Sequence, residues 1–221
     1  MRTFATAAPI TAAFDLAAGR IRLAAADRAD TTVEVRPADP GKNRDVKAAA
    51  QTTVTYEDGV LRVHTPQGRN QYFGPSGSVE VTVALPADSR VEATTAGTEL
   101  DGTGRLGEVT FTGAYRHIKL DEAASVHLTA TDGDVEIGRL AGPAEITTAR
   151  GDIRIGEATS GLVTLTTQAG SIDVGAAPGV SASLDAGTSY GRIDNTLKNT
   201  GTAELAIRAT TSQGDIVARG L

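Results

Sequence analysis

The sequence contains no cysteine and no tryptophan. The first absence excludes disulfides, thiolate nucleophiles, iron–sulfur clusters and cysteine-ligated zinc together. Aromatic residues make up only 4% of the 221-residue chain, against 36 alanines, 30 threonines and 25 glycines. Such a composition suits thin, regular packing of small side chains, and β-branched threonine favours strands. A basic surplus is missing as well. Lys+Arg 21 against Asp+Glu 27 leaves a net charge of −6, the wrong sign for neutralising phosphates, so no nucleic-acid partner is expected. No stretch reaches the roughly 18 consecutive apolar residues of a membrane span. The one candidate for an export signal, Arg2 with the uncharged run Thr3 to Phe14, is rich in Ala and Thr, is interrupted by Pro9, and runs into the alternating Ala13-Phe14-Asp15-Leu16. It reads as a first strand, and the expected location is the cytoplasm.

What the sequence does contain is repetition. A phrase of the form Thr-x-x-x-Gly-Asp-Ile-x-Ile-Gly is fullest at Thr129 to Gly138, Thr147 to Gly156 and Thr166 to Gly175, with degenerate copies around Thr98, Arg116, Gly191 and Gly214. The glycine slots, 98, 116, 133, 151, 170, 191 and 214, lie 17 to 23 residues apart, and the spacing lengthens toward the end. Each repeat also carries a second alternating segment before its turn, such as Val109-Thr110-Phe111, Val163-Thr164-Leu165 or Leu205-Ala206-Ile207. Period-two alternation broken by Gly, Asp and Ser means two short half-buried strands per repeat. The predicted fold is therefore all-β, a flattened β-solenoid of two face-to-face parallel sheets about 10 Å apart. Aligned on the glycine slot, the next inward position reads Leu100, Ile118, Val135, Ile153, Ile172, Ile193 and Ile216. The outward position after it reads Asp101, Lys119, Glu136, Arg154, Asp173, Asp194 and Val217, alternating in sign until the step from Asp173 to Asp194. Alternating charges attract in a parallel stack, each pair by a few tenths of a kcal/mol.

Residues 1–90 are expected to form an N-terminal β-rich cap region, and 91–221 the repeats, within one continuous domain. The first part alternates at Arg20 to Leu23, Thr32 to Val35, Thr53 to Tyr56, Val60 to Val63 and Val79 to Val83, with Glu57-Asp58-Gly59 as a hairpin turn. Lys42 to Gln51, introduced by Asp39-Pro40 and carrying Val46 and Ala48 to Ala50 as its apolar residues, is the one helix candidate. Closing an end of the sheets is its expected use, because an open rung can pair with another chain.

The Gly-Asp-Ile/Val-x-Ile/Val-Gly units at Gly133 to Gly138 and Gly151 to Gly156 resemble the bacterial β-strand-repeat family labelled "putative adhesin". So do the Gly104-Arg105-Leu106-Gly107 connection, the Ser78 to Val83 strand ending at Leu85-Pro86, and the closing Thr211 to Ile216. The likeness covers nearly the whole chain and implies a β-solenoid. It brings no catalytic or binding residues with it. The chain departs from the family's repeat at Arg116, where glycine is expected, and at Tyr190-Gly191-Arg192.

Chemical motifs resolve mostly into structure. Gly102-Thr103-Gly104-Arg105-Leu106-Gly107 matches the dinucleotide fingerprint in its letters, but a strand, Glu108 to Thr112, follows where a helix must present its amides to the pyrophosphate. No cofactor is expected. Asp134, Asp152 and Asp215 follow turn glycines, yet Ser171 and Arg192 hold the same slot, so no carboxylate column for calcium forms and no metal is expected. Each of these aspartates is expected to hydrogen-bond its own turn. His64, His117 and His127 lie on alternating segments without a nucleophile elbow or an H-E-x-x-H pattern, and no residue is assigned a catalytic role.

The loop Gln67 to Gly77 gathers Arg69, Tyr72 and Phe73 in a chain poor in aromatics. These residue types favour binding hot spots, so they form the candidate partner-binding loop, with packing of Tyr72 and Phe73 over the cap as the alternative. The preferred function is a non-catalytic structural or protein-interaction module with an unknown protein partner and an open oligomeric state. A surface adhesin or glycan binder would need an export route. A polysaccharide-processing β-helix enzyme would need clustered carboxylates along one groove.

Overall fold

The computed structural model describes residues 1–66, 77–113 and 117–221. The repeats form rungs that cross from one sheet face to the other, with a positive-φ glycine at the corners of Gly19, Gly133, Gly151, Gly170, Gly191 and Gly214. On the first face the spatial order begins with β4 (Thr53–Glu57), β5 (Val60–His64), the opening half of β2 (Thr11–Ala26) and two passes of β7 (Arg90–Gly113). It continues through the closing half of β8 (His117–Asp132), β10 (Ala144–Arg150), β12 (Gly161–Ala169), β16 (Leu205–Gln213) and β14 (Ala182–Tyr190). The second face runs β1 (Arg2–Ala5), β3 (Asp30–Pro37), β6 (Val79–Pro86), the closing half of β2, the middle of β7 and the opening half of β8. Beyond these come β9 (Asp134–Leu140), β11 (Ile153–Ala158), β13 (Ile172–Ala176), β17 (Ile216–Gly220) and β15 (Ile193–Thr196). All pairings are parallel except β1 with β3, β3 with β6, and β4 with β5.

The aliphatic ladder is the core. Leu100, Ile118, Val135, Ile153, Ile172 and Ile216 are buried in one column, while Ile193, at its far end, is 47% exposed. Charges stack on the outer side as the alternation predicts, with Lys119 in register between Asp101 and Glu136 and its Nζ 3.3 Å from Glu136. The column starts earlier than the repeats do, because Arg22 pairs with Asp101. A second column, Arg105, Glu122, Arg139 and Glu157, alternates in the same way.

The rungs do not all stack in sequence order. β16 and β17 enter between β12/β13 and β14/β15, so Val217 separates Asp173 from Asp194. The apparent like-charge step disappears, since those aspartates are not neighbours. At the other end β2 likewise lies between β5/β6 and β7.

The helix α1 (Asn43–Gln51) buries Ala48 and Asp45 and leaves Val46 exposed. Asp45 is turned inward by an obligation, since its carboxylate accepts the Ser78 backbone N–H at 3.0 Å. The hairpin turn forms as predicted, with Asp58 and Gly59 at positive φ between β4 and β5.

Candidate interaction surface

The corner from the first face to the second has three fixed parts in the regular rungs. An inward threonine donates to a turn carbonyl, as Thr167 does to Gly151 at 3.1 Å and Thr211 to Gly170 at 2.9 Å. A glycine at positive φ then passes so close to the neighbouring rung that a Cβ on Gly170 would stand 2.0 Å from the Gly151 carbonyl oxygen. Only glycine fits there. The aspartate that follows corrects the expectation from sequence, for its carboxylate does not serve its own turn. Asp134 accepts the Asp152 backbone N–H at 2.8 Å, Asp152 that of Ser171 at 2.8 Å, and Asp215 that of Arg192 at 2.9 Å. Each carboxylate reaches across to the next rung in space, which explains why the slot is polar. At the last rung no further strand follows among the described residues, and Arg192 takes the slot.

Two rungs break this pattern. At the corner tip, where other rungs place Asp132, Arg150, Ala169, Gln213 and Tyr190, β2 has Ala18 and β7 has Gly97, two small residues paired directly in register. A Cβ on Gly97 would meet nothing within 4 Å. The missing side chains leave a groove of about 510 Å³ floored by Ala18, Gly19, Ala96 and Gly97. Its rim is charged and ordered. Arg20 Nε donates to Glu99 at 2.7 Å, and this bond holds the guanidinium above its ordinary range; Arg22 pairs with Glu80. On the same strand as the floor residues Ala96 and Gly97, the Thr95 and Thr98 hydroxyls are buried without a hydrogen-bond partner among the described residues.

The candidate residues Arg69, Tyr72 and Phe73 lie outside the described residues, as does Arg116. The described chain on either side of the loop is firmly held. Thr65 donates its backbone N–H to the Asp15 carbonyl at 3.0 Å and shares a 2.8 Å hydroxyl contact with Thr52, while Ser78 is held by Asp45 and itself lines the groove. Sequence reasoning did not find the groove; its signal is the pair of small residues at the tip position of two adjacent rungs. The fingerprint Gly102 to Gly107 turns out to be a bend within β7, where a Cβ on Gly104 would stand 2.0 Å from the Ala25 carbonyl oxygen. His64 and His127 are exposed and face Asp15 at 2.9 Å and Glu145 at 3.4 Å. Among the described residues no group of three or more His, Asp or Glu side chains is placed to hold a metal ion, and no helix is long and apolar enough to cross a membrane.

Residues 13–219 match the family model described as Toastrack DUF4097. Among solved structures the chain is similar to a "putative adhesin" from Bacteroides fragilis, at 13% identity and a TM-score of 0.52, covering 100% of this chain and 95% of that one. A "putative cell adhesion protein" from Clostridium sporogenes aligns over 100% and 98% of the two chains at 12% identity and a TM-score of 0.34. The first likeness speaks to fold alone, and the second carries no argument. No curated protein matches the chain.

Proposed function

The chain belongs to the Toastrack DUF4097 family, and on that premise we propose that it is a non-catalytic, intracellular protein-interaction module whose contact residues are those of the corner groove together with Arg69, Tyr72 and Phe73. One observation carries the reading. The corner tip, filled by longer side chains in several other rungs, is bare at Ala18 and Gly97, and the opening lies beside Ser78, next to Gly77 where the loop rejoins the described chain. Protein hot spots draw on concave floors and on aromatic and arginine side chains. Gly97→Phe, at a position where a Cβ meets nothing within 4 Å, puts a ring into the groove, and Tyr72→Ala/Phe73→Ala removes the aromatic side chains. Both variants are expected to keep the wild-type melting temperature while recovering less partner in pull-downs from the native cell. Equal recovery by all three proteins overturns the reading. Cell fractionation tests the location, and abundant native protein outside the cell contradicts it.

A further inference from the structure

The outer side of the first face carries a second depression, away from the corner. In its polar column Arg62 and Glu92 flank Ala13 in register, and the column continues through His127, Glu145, Thr164 and Arg208. Ala13 is the one short side chain among these, and it opens a depression of about 460 Å³ walled by Arg62, His64, Asp15, Glu92 and Thr94.

Two features meet at this place. Nearly every arginine on the faces is paired: Arg20 with Glu99, Arg22 with Glu80, Arg90 with Glu92, Arg105 with Asp88, Arg154 with Asp152. Arg62, like Arg208 farther along the face, has no ion pair or hydrogen bond among the described residues, and it is exposed at the rim of the depression. Opposite it, His64 Nδ1 lies 2.9 Å from Asp15 Oδ2, which fixes the ring and leaves Nε2 for another partner.

We propose that this depression binds an acidic sugar through its carboxylate. The guanidinium of Arg62 takes the carboxylate as a bidentate pair. The ring hydroxyls then meet Thr94, His64, Asp15 and Glu92, which together supply donors and acceptors, while Ala13 gives the ring room to lie against the sheet. A bare carboxylate engages Arg62 alone, and a neutral sugar forgoes it, so both bind more weakly than a molecule carrying the two features together.

Calorimetric titration with glucuronate, glucose and acetate separates these cases. Glucuronate is expected to bind saturably to the wild-type protein, with glucose and acetate each at least tenfold weaker. Arg62→Ala and Ala13→Gln are expected to lose tenfold or more for glucuronate while their melting curves stay in place. Arg208→Ala, in the same column on a distant strand, leaves binding unchanged. The proposal is overturned by the absence of saturable glucuronate binding, by acetate binding as tightly as glucuronate, or by Arg62→Ala binding as well as wild type. Gly97→Phe, which blocks the corner groove, leaves glucuronate binding intact, so this site and the protein-contact surface fail independently.

Discussion

At the N-terminal end of the solenoid the outermost rung, β5 with β6, is overlaid by antiparallel strands: β4 on one face, β3 and then β1 on the other. Phe4 on β1 and Tyr56 on β4 meet across the gap between the faces, their ring centroids 5.4 Å apart, and α1 packs beside β3 and β6. At the opposite end β14 and β15 lie outermost, with no strand beyond them among the described residues. Leu184 and Ala186 are only partly buried there, Ile193 is 47% exposed and Tyr190 75%. Both ends nonetheless share one device, since each has a chain-terminal segment slotted in second from last. The difference shows two ways to stop a repeat. One adds elements of another kind; the other edits the last copy, placing Arg192 where a carboxylate would await a further N–H, and keeping β15 short with Asp194 and Asn195 on it.

The largest effect should come from removing the slotted segment at the open end. Deleting residues 204–221 strips out Leu205, Ile207 and Ile216, about 5–9 kcal/mol of apolar burial, comparable to the whole net stability of a domain. It also leaves β14 and β15 without a paired strand. Hydrogen exchange should then show protection lost over residues 182–196 as well. Protection retained there would mean that the outer rung does not depend on the inserted one.

Glycines sharpen the contrast between interior and end. Gly170→Ala puts a methyl against a carbonyl at a positive-φ corner and should cost roughly 3 kcal/mol or more. Gly187→Ala, on the outermost strand with nothing within 4 Å of its Cβ, should stay within about 0.5 kcal/mol of wild type. Denaturant melts of the two variants compare them directly, and similar losses would contradict the stacked-corner account.

The tyrosines compare the two closures. Tyr56→Ala breaks the aromatic seal and should lower stability by about 1–3 kcal/mol. Tyr190→Ala should change it by no more than about 0.5 kcal/mol. Equal melting temperatures for the two variants would mean that the N-terminal end is not sealed by that contact.

Acid should act least, and at both ends alike. The Arg192 backbone N–H and guanidinium hold the Asp215 carboxyl below the usual carboxylate range, and the Arg105 guanidinium does the same for Asp88. A depressed folded-state value contributes stability that is present above about pH 4, the unfolded value, and is lost as pH falls through the folded one. Asp215→Asn should therefore flatten the acid side of the stability curve slightly, and an unchanged acid limb would remove this contribution.

Much of this was legible beforehand. The glycine slots gave the corners, the Ile/Val/Leu positions gave the ladder, and Glu57-Asp58-Gly59 gave the hairpin, because each depends on local backbone needs or strict alternation. The order of the last rungs was not, since Ile172, Ile193 and Ile216 are chemically interchangeable in a column and nothing local says which lies beside which. Two traces of it were present: the mismatch of Asp173 with Asp194, and the longer spacings around slots 191 and 214, which supply the chain needed to step over a rung. Arg22 could not be placed beside Asp101 because its segment lacks the Gly-Asp phrase. The reach of each aspartate to the neighbouring rung depends on stacking that only the fold supplies. Of the two proposed surfaces, the corner groove is written in Ala18 and Gly97 and the depression on the first face in Ala13, small residues whose meaning appears only when their columns are assembled.

The inserted rung is the central claim, and the absence of cysteine makes it directly measurable. Parallel register neighbours lie about 4.8 Å apart, within reach of a disulfide, whereas residues two strands apart exceed the roughly 7 Å limit between Cα atoms. Asp173→Cys/Val217→Cys should cross-link on mild oxidation, and Asp173→Cys/Asp194→Cys should not. Cross-linking of the second pair and not the first would place the rungs in sequence order and contradict the account.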